Sequence, residues 1–529
     1  MLKYINCLIE MIKSFEVPSA DSINWIPIQS ARQEYESGSI TSPNENQVRH
    51  HIENDPSKPP IFIQYDHGKS SFITIRAYLS TSSLPKQLRP YASLFLSTFF
   101  SLPVKRSNGE ILNHEAVVRS LDETTLDHDI NFGARGAFAE LLQVSVKVEP
   151  KYYEQSIEWL SDLFNGTIYD IERLKVTAAK IQQSLPEQKR EGDTVAWSMS
   201  TTLMFDSLQQ ANAVLEQSEF NPSIVKRLEE EPESVVKDLE AFRNYVTQPE
   251  CLRVSVVGNV LGVEKPQEAW NKYFGKKSDK VLAPVSWVKD FRLPLGRNPS
   301  KKAVVVPLPS IESSFSVHSA KGIEGFDHED APALMVTLGV LNALESYLWR
   351  YIRGTGLAYG ASITQNPESG LLMFTVYKAP NAFRAYEEGG KVVHGLVNGE
   401  IDLEETTLES SISSLCYTMT AREATVGSAA LSSFVNQVLK NVPQDYNQQL
   451  LSKFRQVTKQ DVLNTLKNYI APLFKSETST AVIVSAPSKV DGIEDSLRKD
   501  GFEVERRTLD VSNEEDGESD YESDSGSSV

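Results

Sequence analysis

Two long stretches of the chain share one rhythm of apolar and polar positions. In the first, "PIFIQYDHGKSSFITIRAYLS" predicts two strands and "LRPYASLFLSTFFSLPV" predicts an apolar helix. Much further on, "CLRVSVVGNV" predicts a buried strand that closes the unit. In the second, "AVVVPLPSIESSFSVHSAKG" predicts two strands, "APALMVTLGVLNALESYLWRYIR" a single apolar helix, and "STAVIVSAP" the closing strand. The tripeptide SSF begins at Ser70 in one copy and at Ser313 in the other. Helical spacing recurs between opening and closing strands, in "PKYYEQSIEWLSDLFN" and "DIERLKVTAAKIQQSL", then in "EEGGKVVHGLVNG", "LEETTLESSISSLCYTMTAREATV" and "TKQDVLNTLKNYIAPLF". Thr458 followed by Asp461 predicts a capping box for the last of these. A repeat this long is a duplicated domain and not a solenoid. Strands, then helices, then a strand predict an α+β fold: two tandem homologous units, each a mixed or antiparallel sheet with helices packed on it.

The pattern divides the chain into residues 1–58, a helix ("MLKYINCLIEMIKSF") followed by a polar, proline-dotted linker; 59–274, the first unit; 275–300, a polar and basic linker; 301–508, the second unit; and 509–529, an acidic tail. The tail has almost no apolar residues and many like charges, so it is expected to stay disordered.

Composition narrows the partners. The net charge is −18, a poor match to phosphate backbones, so nucleic acid is not expected, whereas a cationic peptide would be attracted. The cysteines Cys7, Cys251 and Cys416 are widely spaced and odd in number, which points to a reducing compartment. No apolar run is long enough to predict a membrane span, and the N-terminal helix lacks the features of a secretory or transit signal. These readings predict an intracellular protein, in the cytoplasm in preference to the mitochondrion.

Candidate chemistry is sparse. Neither HExxH nor HxxEH occurs, although a zinc hydrolase needs two imidazoles one helical turn apart with a carboxylate to activate water. "HHIEN" at His50 places Glu53 in register but Asn54 where the second histidine belongs. His128 and His328 are flanked by carboxylates, the pattern of solvated loop histidines. There is no GxSxG elbow, and "RGTGLAYGAS" lacks both the lysine and the preceding strand of a phosphate loop. The chain is large and globular, yet holds no self-contained catalytic set.

The two-copy architecture, the closing strand "LRVSVVGNV", the late helix "VTKQDVLNTLKNYIAPLF" and above all "WRYIRGTGLAYGASI" (Trp349 to Ile363) resemble the M16 zinc metallopeptidases, the pitrilysin-like inverzincins. The spacing from Arg353 to Tyr359 is similar to that in presequence proteases, and overall the chain resembles the large fungal presequence-protease-like members. The resemblance implies two LuxS/metallohydrolase-like domains equivalent to the C-terminal half of such an enzyme. It puts Ser93 and Ser97 where the zinc histidines stand and Leu96 where the general-base glutamate stands, so no metal is expected here; Asp170 and Glu172 fall near the place of the third ligand. Zinc is then expected in a complementary N-terminal half carrying HxxEH, in the same full-length chain or in a separate subunit.

The same resemblance implies that Arg353 anchors the substrate backbone, that Tyr359 donates to the oxyanion, and that Gly354 and Gly356 let the chain reverse out of the helix. Gly360 would permit close approach of a backbone, so that the following strand pairs with an extended peptide. The expected function is the non-zinc, substrate-binding half of a peptide-degrading metalloendopeptidase, inactive alone. The alternative is a non-catalytic scaffold of the same family. A third reading, a self-sufficient hydrolase built on His128, His328 or His394, requires metal in this chain.

Overall fold

The computed structural model describes residues 22–509. The helix read over residues 2–15 and the acidic tail beyond Leu509 lie outside the described residues. The first sheet contains β1 (Gln29–Gln33), β2 (Ile40–Thr41), β3 (Phe62–His67) and β4 (Ile73–Ser80). After a small separate hairpin, β5 (Val104–Lys105) with β6 (Ile111–Leu112), it continues with β7 (Asp127–Ala134), β8 (Ala137–Val148) and β9 (Leu252–Gly258). The second sheet contains β10 (Lys302–Pro307), β11 (Ser314–Lys321), β12 (Gly360–Asn366), β13 (Leu371–Ala379), β14 (Ser479–Ser485) and β15 (Glu503–Arg506).

Strand order is β2-β1-β3-β9-β4-β8-β7 in one sheet and β12-β13-β11-β14-β10-β15 in the other. The run β3-β9-β4-β8-β7 therefore repeats as β10-β14-β11-β13-β12. The senses repeat too: β3 with β9 and β10 with β14 are parallel, and the remaining pairs in both runs are antiparallel. The duplication read from the sequence is a duplication of topology, with SSF leading into β4 and β11. The closing strands β9 and β14 are buried at every residue, because each lies between two neighbours with both faces covered, and such strands read as continuous apolar runs.

Three readings need correction. Residues 29–54, assigned to a linker, form β1, β2 and the helix Gln47–Asn54. The strand sequence QSARQ hid itself because its buried positions include Ser30 and Gln33. The basic linker 275–300 is packed structure, with the short turns Val288–Phe291 and Pro294–Arg297 and with Trp287 against Phe138 and Phe326. The single apolar helix is two pieces, Ala331–Asn342 and a second ending at Arg353, separated by Glu345 at φ 61°. The capping box forms as read, with Asp461 N–H donating to Thr458 Oγ1 and Thr458 N–H to Asp461 Oδ2.

Each sheet buries one face under helices of its own unit and the other under a helix of the opposite unit. Val195, Ala196 and Met199 of the helix Gly192–Met204 lie on the second sheet, against Val304, Val317 and Val482. Reciprocally, Phe434 of the helix Val426–Phe434 and Leu439 of its wide continuation lie on the first sheet, where Phe434 stacks on Tyr78 with ring centroids 5.0 Å apart. Burying both faces in this exchanged manner makes the contact between units an extension of the two cores.

Polar groups are sealed into the same contact. Asp66 on β3 accepts from Ser433 Oγ at 2.7 Å and from Ser30 Oγ, and burial lifts its carboxyl to about 6. Glu368, in the β12–β13 turn, accepts from the Phe138 N–H of the first unit at 2.7 Å. Burial, opposed by that bond and aided by the nearby Glu140, lifts Glu368 from 4.5 to about 7. Within this window the folded chain keeps a proton that the unfolded chain has released, so stability falls as pH rises through it. Glu368→Gln retains an acceptor for Phe138 and removes the titration. We expect it to flatten the pH dependence of urea-unfolding stability between about pH 5 and about pH 8, by on the order of 1–3 kcal/mol. An unchanged slope would exclude Glu368 as its source.

Candidate functional site

The helix that leads to Arg353 is anchored from inside. Tyr347 is buried; its phenol donates to Asp402 O at 2.9 Å and accepts from Glu404 N–H at 2.9 Å, while Arg350 pairs with the Glu404 carboxylate at 2.9 Å. The last turn, Trp349–Arg353, is widened, with Gly354 N–H donating to Trp349 O (2.8 Å) and Leu357 N–H to Ile352 O (2.9 Å). Wide turns of this kind are uncommon and recur at functional sites. Gly356 supplies the reversal at φ +78°, in space open to solvent, whereas a methyl group on Gly354 would lie 2.6 Å from the Arg350 carbonyl oxygen. Gly354 is still helical at φ −62°, and the turn itself is made at Gly356.

The reversal brings Arg353 back over Tyr359, with the guanidinium carbon 4.5 Å from the ring centroid. Tyr359 is 60% exposed and meets Tyr377 of β13 edge-on at 6.2 Å, and the Lys378 amine lies 5.3 Å from the Tyr377 ring. Arg353 forms no ion pair among the described residues. Arg350 and Arg353, one turn apart, have therefore divided roles: one holds the fold together and the other is presented to solvent beside a phenol. Two cations over two exposed tyrosines can hold carbonyl or carboxylate oxygens, through fixed donors that need no metal.

Two expectations about the neighbouring strand are altered. Gly360 is not required by the chain's own packing, since a Cβ there meets only Tyr377 Cβ at 3.9 Å. The strand β12 is an edge strand, but its middle is already closed: Asn342 accepts from Ile363 N–H at 2.8 Å and donates to Ile363 O at 2.7 Å. An extended peptide could pair only with the part of β12 nearest Tyr359. Asn342 was the readable signal, a lone amide in the apolar run "LGVLNAL". Tyr377 and Lys378 gave none, because their place beside Tyr359 depends on strand register.

The positions aligned with a zinc motif do not fit a metal. Ser93 Oγ donates to Asn212 Oδ1 at 2.8 Å, Ser97 Oγ to the Ser93 carbonyl at 2.8 Å, and Leu96 packs against the first core. Asp170 caps the helix Ile171–Lys189 through Arg173 N–H, and Glu172 pairs with Lys175 on its surface. The histidines do not converge: His128 bonds Thr125 and packs edge-on to Phe100, His328 accepts from Asp330 N–H, and His394 is exposed on the helix Ala382–Asn398. Among the described residues no group of three or more His, Cys, Asp or Glu side chains could hold a metal ion. No helix among them is long and apolar enough to cross a membrane.

Two sheet-and-helix units of the same topology, the second carrying the exposed Arg353–Tyr359 pair, define the class of fold. Residues 234–398 of this chain match the family model described as the peptidase M16 inactive domain. Its fold is similar to that of a protease from Helicobacter pylori (TM-score 0.59, 16% identity, covering 81% of this chain and 98% of that one). It is also similar to a peptidase M16 inactive domain from Pseudomonas fluorescens (TM-score 0.60, 14% identity, 80% and 95%). Curated relatives include uncharacterized proteins of Schizosaccharomyces pombe, 27% identical over 515 residues, and of Saccharomyces cerevisiae, 25% identical over 548. These alignments cover 95% and 97% of the chain but 49% and 51% of the relatives, so the chain spans about half the length of the curated relatives it matches.

Proposed function

We propose that this chain is the substrate-binding, non-zinc half of an M16-like metalloendopeptidase that degrades peptides. The observation that carries the reading is the exposed Arg353–Tyr359 pair, held on a widened turn and, for Arg353, free of any ion pair among the described residues. In peptide hydrolysis the carbonyl oxygen gains negative charge in the transition state, and donors fixed in advance stabilise it. Tyr359 is the donor to that oxygen, and Arg353 anchors the peptide backbone. The zinc and its water belong to a complementary half carrying HxxEH, from the same full-length chain or another subunit. The unpaired Cys251 and Cys416 suit a reducing, intracellular setting.

The test is hydrolysis of a quenched, unstructured peptide by the chain alone and after mixing with the zinc-bearing N-terminal half of a related enzyme. Turnover only on mixing is the expected result. Turnover with stoichiometric zinc in the isolated chain would overturn it. The scaffold reading has one observation in its favour, the closure of β12 by Asn342, and it predicts peptide binding without turnover under every condition.

A further inference from the structure

The β7–β8 hairpin reaches from the first unit into the second. Its two-residue tip, Arg135 and Gly136, has positive φ at both positions (51° and 76°), the conformation whose twist matches a tight hairpin. Gly133 beside it is obligatory, because a Cβ there would lie 2.0 Å from the Ala137 carbonyl oxygen. So held, Arg135 donates to Ser432 Oγ at 2.9 Å and to the Ser428 carbonyl at 2.7 Å.

Next to the tip, between the units, is a cavity of about 380 Å³, within the size range of small-molecule sites. Phe138, Phe326, Met335, Leu338, Met419 and Leu450 give it an apolar wall. Arg135, Arg422 and Lys440 also line it, and none of the three forms an ion pair among the described residues. The nearby acid, Glu423, is held by Asn447 Nδ2 at 2.5 Å. Lys440 is half-buried; it donates to Asn436 Oδ1 at 3.1 Å and lies over the Phe326 and Tyr446 rings, 5.4 Å from each centroid. Three cations share the one nearby carboxylate of Glu423, which acts on Arg135 and Lys440 without forming an ion pair, so a surplus of positive charge stands beside hydrocarbon at the contact between two units.

We propose that this cavity binds a carboxylate carrying an apolar group, with the carboxylate among Lys440, Arg422 and Arg135 and the hydrocarbon against Phe326, Met335 and Leu338. A polyphosphate would leave the apolar wall uncovered, and a neutral hydrocarbon would leave the cations desolvated and unpaired. The chemistry is shared by a free medium-chain acid and by the C-terminal apolar residue of a peptide. The inference does not depend on Arg353 or Tyr359. Burial, then the charges of Arg422 and Arg135, pulls the Lys440 amine down to about 8. The ionisable groups facing it are Arg135, Arg422, Glu423 and Tyr446, whose phenol burial pushes up to about 12. A carboxylate stays ionised through this range, so its binding weakens as pH rises through the Lys440 titration.

Calorimetric titration of the full chain with decanoate and with 1-decanol tests the site, and a peptide ending in leucine as free acid and as amide distinguishes the two sources. We expect an acid to bind and its neutral counterpart to bind more weakly by roughly tenfold or more. Lys440→Met should lower the affinity for the acid by a similar factor, and Met335→Trp, which fills the cavity, should abolish binding. Should either variant fail to fold, loss of affinity with rising pH in the unaltered chain reads the same contact. Binding of decanoate alone assigns a free acid, and binding of the peptide acid alone assigns a peptide terminus. Equal affinity for acid and neutral partner, full affinity in Lys440→Met, or binding of neither acid overturns the proposal.

Discussion

Tyr359→Phe is expected to lower kcat of the complemented peptidase by about a hundredfold, with KM and the unfolding midpoint nearly unchanged. Loss of one preorganised donor to a developing oxyanion costs on the order of 10²–10³ in rate, because the donor acts on charge present in the transition state and absent in the substrate. The side chain is 60% exposed, so the lost hydroxyl leaves no buried group unsatisfied, and the aromatic contacts with Arg353 and Tyr377 remain. Arg353→Ala differs in kind. It removes the cation above the ring and the backbone anchor together, so KM should rise as kcat falls. Steady-state kinetics on the mixed halves separates the two signatures, with thermal unfolding as the control for folding. A Tyr359→Phe chain that supports full turnover would remove Tyr359 from the chemistry and leave Arg353 as a binding residue only.

The site was partly legible because its local elements announce themselves. A basic last turn, Gly354 and Gly356 in quick succession, and a tyrosine before a strand are local signals of a helix stop and a chain reversal, and in the structure the Arg353 guanidinium lies over the Tyr359 ring. What could not be read is non-local. Tyr377 and Lys378 join the site through the pairing of β12 with β13, and Asn342, visible as a lone amide in an apolar run, meets its partner Ile363 only in the folded chain. The duplicated topology was legible for a similar reason: β9 and β14 are central strands buried on both faces and stand out as apolar runs. The strand β1, between β2 and β3, carries polar residues at buried positions, Ser30 in the sealed contact and Gln33 besides, and hydrophobic periodicity cannot see a strand of that kind.

Least visible of all was that each sheet is finished by the other unit's helix, and the second large effect follows from it. Phe434→Ala should destabilise the chain by about 3–5 kcal/mol, the usual cost of deleting a fully buried phenylalanine. Phe434 has no exposed surface and stacks on Tyr78, so the substitution opens a cavity against the first sheet although the residue belongs to the second unit. If the units were independent bodies, calorimetry would show two transitions, and Phe434→Ala would leave the first unit's transition in place. Because Val195, Ala196 and Met199 cover the second sheet in return, removing either helix exposes apolar surface on both units. We therefore expect a single transition in the unaltered chain, displaced as a whole in the variant, with a parallel though smaller displacement for Met199→Ala. Two transitions, only one of which moves, would show that the exchanged helices dock onto units already folded. The proposed substrate-binding role needs a single transition, since Arg353 and Tyr359 would keep their aim as donors only if the sheet that carries them cannot open separately.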